Sequence, residues 1–152
     1  MKTLSLLFSL LLPVFVFAQV GIGTTDPQST LDINGNLSVK HVSLSGSASP
    51  TLIDDGVYIS VSPTSDNQDF QLPDPRDYPG RIYIIRNVQD AFDADITMDA
   101  TVTGAGVRFF PGDSTTGIIQ VDMDTAVGSG NTTKTLIFIS DGSNWTYGTL
   151  GF

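Results

Sequence analysis

Arg81-Ile82-Tyr83-Ile84-Ile85-Arg86-Asn87, launched by the turn pair Pro79-Gly80, is the stretch from which the rest of the chain is read. It is short and rich in β-branched and aromatic residues, which suits a strand. Side chains alternate, so Ile82 and Ile84 point one way and Tyr83 and Ile85 the other. A strand apolar on both faces wants cover on both, so it is expected at the centre of a β-domain.

The composition around it agrees. The chain has 152 residues, the length of one domain with a small appendage. All 16 acidic residues are Asp and none is Glu. Asp favours turns and caps, whereas Glu is a good helix former. With 15 Gly and 8 Pro besides, the pattern is strands joined by turns. The formal net charge is -9, and no basic footprint exists to neutralise phosphates. Nucleic-acid and anionic-membrane partners are therefore not expected. Cysteine is absent. That excludes a disulfide scaffold, a thiol nucleophile and Cys-ligated metal. A secreted domain without disulfides must be held by its core or by association with copies of itself.

Residues 1–18 read as a signal peptide. Lys2 forms the positive region, Leu4 to Phe17 the apolar core, and Val16-Phe17-Ala18 the cleavage site. The apolar run falls short of the roughly 20 residues of a membrane span. The mature chain would start at Gln19, secreted or at the cell surface, with no membrane span left after cleavage. Residues 19–44 read as a β-hairpin neck. Thr25-Asp26-Pro27 turns, Leu31 and Ile33 alternate with Asp32 in a strand, and Asn34-Gly35 is a tight hairpin signal. Leu37, Val39, Val42 and Leu44 carry the second strand. Gly21-x-Gly23 lacks a preceding strand, a third glycine and a following helix, so it is not a dinucleotide loop.

The run V-G-I-G-T-T-D-P-Q-S-T-L-D-I-N-G-N-L, Val20 to Leu37, resembles the neck segment of phage tail fibres and of secreted surface proteins of Gram-negative bacteria. In that family three chains wind together before a globular head. The resemblance implies a trimeric, fibre-like architecture rather than an enzymatic activity.

Residues 45–50 are Ser/Gly/Ala-rich with a closing proline and read as a linker. The head is expected over residues 51–152. Val57 to Val61 alternates cleanly, and Phe70 and Leu72 share a face. Pro79 and Gly80 suit the two central positions of a type II turn. Ile96, Met98 and Ala100 alternate with Thr97 and Asp99. Ile118 to Met123 is another strand, and Val127 to Thr133 is a loop. Thr135 to Ser140 is a second strand apolar on both faces, turned by Asp141 to Asn144 into Trp145-Thr146-Tyr147. Strands about ten residues apart with turns between them give an all-β sandwich, prism or barrel, with no helix longer than a turn or two. L-P-D-P…P-G-R-I-Y-I-I-R-N (Leu72 to Asn87) and L-I-F-I-S-D-G-S-N-W (Leu136 to Trp145) resemble the signature of β-rich head domains at fibre tips. That resemblance implies a small trimeric β-fold engaged in assembly or receptor contact.

Candidate chemistry is sparse. His41 is the only histidine, so no Ser–His pair forms without it, and it reads as an exposed strand position. Asp93 and Asp95, and Asp122 and Asp124, sit two apart and would share a face in a strand. Such pairs could serve glycoside hydrolysis or bind Ca²⁺. The head, however, lacks an aromatic-lined groove for a sugar chain, and no Asp-x-Asp-x-Asp-Gly loop is present. The expectation is no enzyme, no catalytic residue, no metal and no cofactor, with Ca²⁺ the one ion weighed. Tyr78, Trp145 and Tyr147 are the candidate ligand contacts. Tyr78 lies on the Pro-rich loop, where recognition residues gather. Trp145 and Tyr147 share a strand face and could stack on a sugar or a partner, or else cover the core edge or a subunit interface.

The sequence therefore points to a secreted, non-enzymatic, fibre- or adhesin-like protein: all-β, with a hairpin neck and a sandwich or prism head, assembled as a homotrimer. It would meet a cell-surface glycan or protein. The physical ground for self-association is that the neck exposes Val20, Ile22, Leu31, Ile33, Leu37 and Val39 with too little of its own chain to cover them. The competing reading is a monomeric β-sandwich that binds a carbohydrate or Ca²⁺.

Overall fold

The structure is a computed structural model and describes residues 19–124 and 133–150. The signal-peptide reading of residues 1–18 and most of the expected loop at Val127 to Thr133 lie outside the described residues. The protein is all-β, with two compact units that divide between Ser38 and Val39.

The first unit differs from the expected hairpin. β1 (Val20–Ile22) and β2 (Leu31–Ile33) pair in parallel, with Val20 opposite Leu31 and Ile22 opposite Ile33. Asn34 does not turn the chain back into a partner strand. Its backbone N–H donates to the Ile22 carbonyl and its Nδ2 to that of Gly23, which continues the ladder. Gly23 sits at φ +72, and a Cβ there would lie 2.8 Å from the Asn34 carbonyl oxygen. Gly23 permits that approach, while a Cβ at Gly21 would meet the Thr24 carbonyl oxygen at 2.7 Å. Leu37 and Val39 belong to no strand. The strand expected to follow them, β3 (His41–Ser45), belongs to the second unit. The first unit ends at Ser38, within the stretch read as the neck, residues 19–44. Of residues 45–50, read as a linker, Ser45 ends β3 and the rest lead to β4 in the same unit.

The second unit holds two sheets. β4 (Thr51–Leu52), β6 (Gln68–Leu72), β8 (Ala94–Met98) and β10 (Val121–Met123) form a four-stranded sheet in the order β10-β8-β6-β4. β3, β5 (Tyr58–Ser62), β7 (Ile82–Asn87), β9 (Phe109–Pro111), β11 (Thr135–Ser140) and β12 (Trp145–Thr149) form a six-stranded one in the order β3-β5-β7-β11-β12-β9. From β3 to β8 the chain alternates between the sheets. Each strand therefore lies beside the one two places later, and all these pairs are parallel. The connections, most of which contain Pro or Gly, carry the chain across to the other sheet instead of folding it back as hairpins. Among the described residues, antiparallel pairing joins β10 to β8 and β11 to both β7 and β12, with one isolated antiparallel bridge between Phe109 and Ile118.

Alternation places the core. Ile59 and Val61, Phe70 and Leu72, Tyr83 and Ile85, Ile96 and Met98, and Leu136 and Phe138 come from both sheets and meet in one buried cluster. Asp99 ends β8 earlier than the alternation predicts. Its Oδ1 accepts from the Thr101 N–H, 2.8 Å away, and starts a short helix over Ala100–Gly104. The expected turn at Pro79-Gly80 forms, with Gly80 at φ +77 and the Arg81 N–H donating to the Tyr78 carbonyl. Among the described residues, the central strand is covered on one side only. Tyr83 and Ile85 are fully buried, but Ile82 is 43% exposed and Ile84 half-buried.

Candidate functional site

Three surfaces carry side chains that could act. The first is the Pro-rich end of the second unit. Tyr78 is exposed there, with the Arg81 guanidinium 3.8 Å above its ring. Trp145 and Tyr147 do not join it. Both start from β12 and point into the core. Trp145 has no exposed surface, its Nε1 donates to the Pro73 carbonyl at 3.1 Å, and its ring lies 5.7 Å from that of Tyr83. Tyr147 is half-buried, stacked 5.7 Å from Phe138, and burial pushes its phenol pKa up. Trp145, one of the candidate ligand contacts and also read as cover for the core edge, lies wholly inside the buried cluster. Period 2 puts Trp145 and Tyr147 on one face but does not say whether that face is wet.

The residues of the two head motifs hold one another. The Gly80 N–H donates to the Ser140 carbonyl, and the Ser140 hydroxyl donates to the Pro75 carbonyl at 2.8 Å. Asp141 Oδ1 accepts from the N–H groups of Ser143 and Asn144, while Asn144 Oδ1 accepts from that of Arg108. These contacts tie the Pro73-to-Gly80 loop, the Asp141-to-Asn144 turn and the start of β9 together, so that Tyr78 stands on a fixed base.

The second surface is the outward side of the four-stranded sheet. The strand register sets Asp69, Asp95 and Asp122 side by side across three strands. Sequence spacing suggested pairs along a strand; the close pair is instead cross-strand, which spacing could not reveal. Asp95 is 5% exposed and its Oδ1 has no hydrogen-bond partner. Burial, then the neighbouring Asp122, Asp69 and Asp93, push its pKa up to about 6. Asp95 thus keeps a proton in mildly acid solution, but it shows a substrate almost no surface. His41, expected as an exposed strand position, is exposed on β3, 2.9 Å from the Ser60 hydroxyl. Beside the row, a 420 Å³ depression is lined by Asp69, Gln71, Thr97, Asp99, Ile119 and Gln120 among others. Among the described residues, no three His, Cys, Asp or Glu side chains are arranged to hold a metal ion.

The Asp95 carboxyl predicts a pH effect with a definite sign. Its folded pKa stands above the value of 3.8 it has when unfolded. Its contribution to stability is therefore full in acid and lost as pH rises through about 6. The unscreened upper bound is about 3 kcal/mol, and exposed Asp122 lets water screen part of it. Asp95→Asn keeps the shape without the charge. It is expected to raise stability by about 1–2 kcal/mol at pH 7.5 and to change little at pH 4. Urea midpoints at the two pH values check this, and an equal effect at both would contradict it.

The third surface is the outward side of the six-stranded sheet, which the sequence reading assigned to a covered interior. Its register makes three long rows, beside a short one of Ser45 and Ser62. His41, Tyr58, Ile84, Ile137 and Gly148 form one. Ser43, Ser60, Arg86 and Thr135 form the next. Ile82, Ile139, Thr146 and Phe110 form the third. Ile82 and Ile139 are exposed, while Ile84 and Ile137 are half-buried. No carboxylate stands in any row.

Fold and surfaces together define an all-β protein with an apolar sheet face and an acidic one. Comparison with protein-family models, with curated proteins and with solved structures finds no match to this chain.

Proposed function

We propose that the chain is a secreted, non-enzymatic, fibre- or adhesin-like protein that assembles as a homotrimer. In this reading a short N-terminal neck carries a two-sheet sandwich head, and the head meets a glycan or a protein at a cell surface. The supporting observation is the state of the first unit. Val20, Ile22 and Leu31 are 52%, 54% and 55% exposed, and Leu37 is 64% exposed. Two three-residue strands are too little to be stable by themselves. An exposed apolar ladder of this kind is stabilised when copies cover one another. The Tyr78 loop, braced by Ser140 and Trp145, is the element of the head best suited to contact.

Sedimentation equilibrium of the chain starting at Gln19, at micromolar concentration, tests the assembly. The expected mass is three times that of the monomer. A monomer mass across that range would overturn the reading.

A further inference from the structure

We propose that the outward face of the six-stranded sheet is where the heads of separate copies meet. This rests on the self-association proposed above and adds the surface of contact. The first ground is composition. The chain carries 16 aspartates, yet the three rows of this face hold none. Two of them hold four isoleucines, Tyr58 and Phe110, and the row between these two is made of Ser43, Ser60, Arg86 and Thr135. The outward side of the other sheet has the opposite character, with Asp69, Asp95 and Asp122. Of these three, Asp122 is exposed and Asp69 half-buried, so carboxylates reach water on that side.

The second ground is charge, and it selects the occupant. A second copy is as acidic as the first, with a formal charge of -9 before any processing. Two such bodies repel at every surface that bears carboxylates. The isoleucine face is where they can touch without opposing like charges, and its one strand charge, Arg86, is cationic. A polyanionic partner would need more than one cation there. Apolar cover for Ile82, Ile84, Ile137 and Ile139 matches what an identical face supplies. Adjacent isoleucines lie in register across β7 and β11, Ile82 opposite Ile139 and Ile84 opposite Ile137. A flat, regular ridge of that kind packs well against its own copy.

The test is the mass of the chain from Gln19 bearing Ile82→Asp and Ile139→Asp together, beside the unaltered chain and the pair Ile22→Asp and Leu31→Asp. The expected result is at least a 100-fold rise in the dissociation constant for the head-face pair, with native circular dichroism. If those aspartates prevent folding, Ile82→Thr with Ile139→Thr keeps the strand propensity and is expected to raise the constant at least 10-fold. An unaltered chain that associates, together with a folded head-face variant of unchanged affinity, overturns this inference and leaves the self-association reading standing. An unaltered chain that is monomeric overturns both. Loss of association in the neck variant alone places the contact in the first unit and overturns the inference.

Discussion

Trp145→Ala is expected to lower the unfolding free energy by about 3–5 kcal/mol, the usual cost of emptying a large aromatic site. The indole is wholly buried against Tyr83, and its loss also strands the Pro73 carbonyl that Nε1 satisfies. A fully buried acceptor left unpaired costs about 1–3 kcal/mol, and the half-buried Pro73 carbonyl adds less than that. Against a typical net stability of about 5–15 kcal/mol, the change is large. Trp145→Phe separates the two parts, because it keeps most of the ring volume and loses only the donor. It should cost less than half as much. Urea titration by circular dichroism at one fixed protein concentration checks both, since association also shifts apparent stability. Trp145 is the only tryptophan, so fluorescence cannot follow these variants, although it reports unfolding in the unaltered chain. A cost below about 1 kcal/mol for the alanine variant would show that the indole is not part of the core.

Asn87→Ala is expected to cost about 2–4 kcal/mol, out of proportion to the few atoms removed. Asn87 ends β7 and is fully buried. Its Nδ2 donates to the Phe92 carbonyl at 2.9 Å and to the Met123 carbonyl at 3.2 Å, and its Oδ1 accepts from the Gln89 N–H. Met123 lies on β10 of the other sheet, so this one amide joins the two layers. Alanine leaves three backbone groups without partners. Asn87→Asp keeps the acceptor but turns a carboxylate on two carbonyls, and should be worse at neutral pH than at pH 4, where it can protonate. Denaturation at both pH values reads this out. Equal stability of the alanine variant and the unaltered chain would mean that the amide bridges nothing.

What the sequence revealed is the set of strands and the sets of residues that share a face. Ile59 with Val61, Phe70 with Leu72 and Ile96 with Met98 are legible from alternation alone, because a pleated strand leaves no other arrangement. Pairing was not legible. Turn residues at Ser45 to Pro50, Pro63 to Asn67 and Pro73 to Gly80 look alike whether they fold the chain back or send it to another layer. Hence the parallel windings were not foreseen, and Asn34-Gly35 was read as a hairpin. Which side of a two-faced strand meets solvent was equally hidden. Ile82 and Tyr83 are neighbours of similar hydrophobicity, yet one is exposed and the other buried. Only the position of the second sheet decides between them. The same gap left Trp145 a candidate contact, when a carbonyl far along the chain, that of Pro73, holds it inside.

β11 follows β7 at a distance in sequence, yet it occupies the middle of the larger sheet. Its arrival converts the flank of β7 from a free rim into an interior seam. A chain that is cut, or not yet synthesised, beyond Lys134 would hold Ile82 to Asn87 as a naked edge, ready to pair with any extended segment nearby. Removal of residues ahead of His41, by contrast, would take no strand from either sheet of the head. Truncation from the two directions is therefore unequal: trimming from the front spares the head's ladders, and trimming from the back unzips their centre.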